Sequence, residues 1–169
     1  KYTTKNTTRP KTQPPRVLDV QWEELLPTSQ RTGQRWRYTL QKPSDDWIRT
    51  DYDDSQWSEG EGGFGTQGTP GAVVRTTWNT PDIWLRRRFH LSEVDFRFLA
   101  LVIHHDEDAE VYINGKRVAS FKGFITGYVV SLATDTPKQV LKPGENTIAV
   151  HCHQTVGGQY IDMGIVGAR

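Results

Sequence analysis

The chain has a single cysteine, Cys152, in 169 residues. That excludes an internal disulfide and any zinc centre built on cysteine thiolates. It also has almost no net charge, +1 at pH 7, with acidic and basic residues interleaved throughout. A nucleic-acid binder needs a basic face, so that class is excluded, and so is strong electrostatic steering of any partner. No apolar run is long enough to span a bilayer, and no apolar stretch follows a basic start as in a secretory leader. The chain begins at Lys1 without methionine, as expected of an excised or processed piece. Helical periodicity longer than about three turns is missing. So are the helical HExxH metal spacing, a Ser-His-Asp elbow and a nucleotide fingerprint. The segment Gly60 to Gly65 (GEGGFG) has the glycines of a phosphate cradle but no helix after it. It is expected to be a tight loop packed against Trp57.

What the chain does have is aromatic: six Trp, six Tyr and six Phe against a background rich in Thr and Gly. Large rings can fill a sandwich core or stack on the apolar face of a sugar. Length fits one domain with a core of real size. Residues 1–15 (KYTTKNTTRPKTQPP) are polar and proline-punctuated, and read as a linker or arm. Residues 16–169 form the domain. The triplet Asn6-Thr7-Thr8 is a glycosylation acceptor only in a eukaryotic secretory host.

From Arg35 onward, strand-like stretches alternate with turn signals. Ile83, Leu85, Phe89 and Leu91 share one face, interrupted by Arg87, while Trp84, Arg86 and Arg88 face away. Phe98 to His104 is apolar on both faces, as in a central strand. Glu110 to Ile113 runs into Asn114-Gly115, the signal of a tight hairpin, and Lys116 to Phe121 returns. In Asn146 to His153, residues Ile148, Val150 and Cys152 point one way, and Thr147, Ala149, His151 and His153 the other. The expected fold is all-β, a two-sheet antiparallel β-sandwich that buries Leu99, Leu101, Ile103, Val111, Ile113, Ile148 and Val150. The long segment from Pro43 to Gly71 is expected to be ordered, with Trp47, Trp57 and Phe64 as its anchors.

Three groups of residues also carry a resemblance. They are Asp46-Trp47 with Tyr52 to Trp57, the run Ile83 to Phe89, and Ala109 to Gly115 (AEVYING) followed by Leu141 to Val150 (LKPGENTIAV). In order and spacing, over roughly residues 36–167, this resembles the galactose-binding-domain-like jelly roll of glycoside hydrolase family two, the β-galactosidases and β-glucuronidases. The resemblance implies a non-catalytic module of a larger secreted, periplasmic or cell-surface hydrolase. Its catalytic carboxylates would lie in a separate domain of the same polypeptide. It further implies that three loops can reach a substrate pocket: Arg75 to Asp82, His104 to Asp108, and His151 to Gln159.

On these loops the candidate carbohydrate-binding residues are Trp78, His105, Asp106, Asp108, His153 and Gln154. Trp78 would stack on the sugar ring while imidazoles and carboxylates hydrogen-bond its hydroxyls. The hard oxygens of Asp106, Glu107 and Asp108 also suit a structural calcium. No catalytic residue is assigned: a glycosidase needs two carboxyl groups about 5 or about 6.5–9.5 Å apart across a cleft. Two readings stand side by side: a module that binds oligo- or polysaccharide, and a spacer that positions a neighbouring catalytic domain.

Overall fold

The computed structural model describes residues 20–169, so the arm at 1–15 and the Asn6 triplet lie outside the described residues. Twelve strands follow in order: β1 (Trp22–Leu26), β2 (Arg35–Thr39), β3 (Ser58–Glu61), β4 (Phe64–Gly65), β5 (Thr76–Thr77) and β6 (Asp82–Leu91). Then come β7 (Phe98–Asp106), β8 (Asp108–Ile113), β9 (Lys116–Phe121), β10 (Val129–Leu132), β11 (Gly144–His153) and β12 (Tyr160–Ala168). A 3-10 turn at Asp45–Ile48 and one helical turn at Pro137–Val140 are the only helix among the described residues.

The strands make two sheets of six. The first has the order β10-β7-β12-β4-β5, with β1 also beside β12. The second has the order β3-β2-β6-β11-β8-β9. All pairs are antiparallel except β4 with β5. The Glu110 hairpin arm pairs antiparallel with β11, with Val111 opposite Val150 and Ile113 opposite Ile148.

The core lies between the sheets because each strand turns alternate residues inward. Leu99, Leu101 and Ile103 of β7 meet Val111 and Ile113 of β8 and Ile148 and Val150 of β11, all buried as expected. Arg87, the charge on the inner face of β6, does not sit among them. Its guanidinium turns out to Gln34 Oε1 at 2.8 Å and lies over the Trp36 ring. The hairpin is closed by Asn114 and Gly115, both in the left-handed region at φ 49° and 83°. That requirement is why Asn-Gly stands there.

The Pro43 to Gly71 segment is ordered, as the aromatic spacing predicts. Trp47 and Phe64 are buried, and Trp57 packs beside the small outer cluster of Trp47, Trp84 and Ala149. Trp84, facing away from the core as alternation predicts, is buried under Trp47. The buried guanidinium of Arg86 lies 5.2 Å from the Tyr52 ring centre. The glycine loop also differs from expectation. It packs on Ser29, Trp36 and Asp162, not on Trp57, because Gly62 turns its open side toward them.

Candidate functional site

The His104 to Asp108 segment, expected to be a loop, is strand almost throughout. His104, His105 and Asp106 end β7, and Asp108 opens β8. Full-length pairing of β7 with β12, down to Asp106 opposite Tyr160, carries these polar residues into the sheet. Both imidazoles are then consumed by structure. His105 is buried against Phe121, and its Nδ1 faces the carbonyl oxygens of Glu107 at 2.7 Å and Gly123 at 3.0 Å. His104 lies between the Tyr128 and Tyr160 rings with Nε2 on the Ile125 carbonyl, and burial lowers its pKa.

The three neighbouring carboxylates point three ways. Glu107 Oε2 accepts hydrogen bonds from the backbone and hydroxyl of Thr155. Asp108 accepts from the Gly123 N–H at 2.8 Å and Lys122 Nζ at 3.0 Å, and those two contacts hold its pKa down. Asp106 is buried, and burial followed by the charge of Glu107 pushes its pKa up. A Cβ at Gly158 would stand 2.8 Å from Asp106 Oδ2, so only glycine leaves that carboxylate its space. A calcium ion needs such oxygens turned to one centre. Asp106, Glu107 and Asp108 do not converge, and they do not fit the expected ion. Among the described residues no group of three or more His, Cys, Asp and Glu side chains could hold a metal.

Trp78 is the clearest correction. It is 1 % exposed, part of the core, and its Nε1–H donates to Thr80 Oγ1 and the Asp82 carbonyl. A ring so enclosed cannot stack on a sugar. The loop that carries it folds down over the sandwich end because the ring's apolar area is worth more inside than out.

The three segments nevertheless meet. Gln154 N–H donates to Pro81 O at 2.7 Å, and the Gln159 amide reaches Thr80 O at 2.6 Å. What they build is a polar row on the outer face of the second sheet. His151 Nε2 and His153 Nδ1 both lie 2.8 Å from the same oxygen, Asp82 Oδ1. Burial of Asp82 works against its charge, but the two imidazoles outweigh it and the pKa falls. Strand register sets this up: β6 and β11 place Asp82 opposite His153 and Trp84 opposite His151. The His151 ring stacks on Trp84 with centres 4.8 Å apart and planes 9° from parallel. Beside the row, Glu110, Phe121 and Lys122 complete a shallow depression of about 240 Å³ with Asp108 and the histidines.

Of the six residues expected at the site, Asp108 and His153 line this depression, and Gln154 caps the adjoining turn with its side-chain Oε1 buried and unpartnered. His105, Asp106 and Trp78 are buried away from open solvent. Asp82, His151 and Glu110 were missed. Their signal was present in part, since His151 and His153 alternate onto one face. The strand opposite them cannot be read from alternation alone.

No protein-family model matches the chain, and no curated protein does. Solved structures do. A β-glucuronidase from Bacteroides uniformis superposes with a TM-score of 0.61 at 17 % identity, over 88 % of this chain and 18 % of that one. A glycosyl hydrolase family 2 member from Bacteroides cellulosilyticus gives 0.57 at 18 %, over 80 % and 20 %. A β-glucuronidase from an uncultured Clostridium gives 0.54 at 13 %, over 88 % and 29 %. The chain has the β-sandwich fold found in these enzymes and spans about a fifth of the length of the first two.

Proposed function

We propose that this chain is a non-catalytic accessory domain of a larger secreted, periplasmic or cell-surface glycoside hydrolase. The observation that carries the reading is the extent of the similarity. Nearly the whole sandwich is matched by a fifth of a glycosidase, and the rest of that enzyme has no counterpart here. The site geometry supports a helper's role. Around the depression Asp82 is paired with two histidines, Asp108 with Lys122 and a backbone amide, and Glu110 with Tyr112 and Arg117, whereas glycoside hydrolysis requires two carboxyl groups free to act across a cleft. An outside location suits polymeric carbohydrate, which does not cross membranes.

Within this reading, Asp108 is the side chain offered to a sugar completed by the neighbouring domain, because it lines the depression beside His153. Lys122 Nζ and the Gly123 N–H hold it in place there. The test is the longer enzyme with Asp108→Asn, assayed on aryl glycosides. KM should rise about tenfold with kcat nearly unchanged, the mark of lost uniform binding. The 169-residue chain alone should be inert, and turnover by it would overturn the reading. The spacer reading is favoured by the burial of Trp78 and His105, which removes the ring and imidazole a free-standing sugar site would use. An Asp108→Asn enzyme with unaltered kinetics would decide for it.

A further inference from the structure

Strand β10 is an edge: it pairs with β7, and no described strand pairs with its other side. Edge strands in free-standing proteins are shielded by lysine, proline, bulges or a covering segment. The sequence of β10 is Val-Val-Ser-Leu, with no lysine, proline or bulge, and no described strand lies outside it. Val130 is 64 % exposed and Leu132 62 % exposed, and Phe124 in the preceding loop is 65 % exposed. Register places Val130 opposite Val102 and Leu132 opposite Ala100, so both side chains stand on the outer face of the first sheet. On the same face β7 begins with Phe98, itself 38 % exposed. Exposed large apolar side chains are thus gathered on one edge and face, where scattered ones would need no explanation.

We propose that β10, with Phe98 and Phe124, is the surface on which another domain of the same polypeptide docks, meeting it with an apolar face. This rests on the accessory-domain reading. Two observations choose that occupant. The enzymes that share the fold are about five times as long as the matched region, so most of such a polypeptide lies outside the sandwich. On the second sheet's outer face, in contrast, the apolar part at Trp84 and Ala149 is roofed by the chain's own Trp47 segment. A cover from outside is called for where the described residues supply none. A second copy of the chain is less suited, because β10 is four residues long and strand addition along it buries too little for a stable pair.

The test is hydroxyl-radical footprinting of the full-length protein, with Val156, 77 % exposed and far from β10 in sequence, as an internal standard. Phe124 and Leu132 should label several-fold less than their exposure in the sandwich predicts relative to Val156. Labelling in proportion to that exposure would overturn the proposal, and so would protection that disappears on dilution, which would mean self-association. Val130→Lys in the same protein should restore labelling of Leu132 with the sandwich still folded. Hydrolase activity is scored separately, so a protein that protects β10 but cleaves no glycoside would sink the enzyme reading and leave the interface standing.

Discussion

The outer faces of the two sheets have opposite constructions. On the second sheet the chain roofs its own surface: Trp47 of the 3-10 turn closes over Trp84 and Ala149, and Asp54 drops beside it. Under that roof a charge can be buried. Arg86 is 0 % exposed, with Nε on Asp54 Oδ2 at 2.8 Å and its remaining contacts to the Trp47 carbonyl and the Tyr52 ring. On the first sheet the roof is partial. The segment after β1 crosses at Gly164, where a Cβ would stand 2.4 Å from the Leu26 carbonyl, and it encloses Asp162. Beyond that crossing, β10 is bare. A buried ion pair sits where the chain's own cover closes over it; a bare apolar strip implies a cover from elsewhere.

The comparison is broken most directly by removing the acid under the complete roof. Asp54 also meets Arg88 at 3.2 Å and is itself buried. Asp54→Ala leaves Arg86 charged in a dry site, a change that costs about 3–5 kcal/mol. Urea denaturation should show the midpoint falling with an unchanged slope. A loss below about 1 kcal/mol would mean that water reaches Arg86 and the roof is not closed.

The partial roof is tested by pH. Burial pushes Asp162 up to about 6, against the opposing hydrogen bonds from Tyr128 and the Ser29 backbone. A raised carboxyl pKa means the folded state holds that proton more tightly than the unfolded chain. The stabilisation is complete below the unfolded pKa and is lost as pH rises through about 6. Acidifying from neutral pH should therefore add about 2–3 kcal/mol from this group. Asp162→Asn should flatten that part of the profile. An unchanged profile would assign the slope to other groups.

Next in size is the glycine beneath the same roof. A Cβ at Gly62 would lie 2.3 Å from Ser29 Oγ, 2.9 Å from Trp36 Nε1 and 3.0 Å from Asp162 Oδ1. Gly62→Ala should cost about 1–3 kcal/mol by overpacking. Thermal unfolding would register it as a lower midpoint. An unaltered midpoint would show that the segment carrying Ser29 yields freely.

Much of the complete roof was legible in the sequence, and little of the site was. Trp47 announces a roof because a large ring in a polar loop has one economical place to go. Asn114-Gly115 announces its hairpin because few residues accept positive φ. Trp78 carries the same kind of signal and was assigned to the wrong side. A ring on a short loop can turn in or out with no change in the pattern around it. Asp82 and His151 are 69 positions apart, and only the register of β6 against β11 makes them partners. Alternation gives the face of a residue but not its neighbour across the sheet. The His104 to Asp108 run looked like a loop because its residues are polar. Those on β7 are held in the sheet by β12 across from them and by the ring and carbonyl contacts of its two histidines.

The smallest expected effect is the sharpest test of the contrast. Val130 projects from an edge strand with no described segment over it, so in the sandwich alone it has little apolar contact to lose. Val130→Ser should then change unfolding free energy by less than about 0.5 kcal/mol, the range of ordinary surface substitutions. Serine keeps the backbone ladder to Val102 intact and exchanges the two methyl groups for one hydroxyl. The same substitution in a polypeptide whose other domain covers β10 removes buried area, and about 1 kcal/mol or more should be lost. Equal, small losses in both would mean that nothing covers the strand. Equal, large losses would mean that the arm preceding residue 20, or some other part of this chain, already lies over β10. The two outer faces would then be alike.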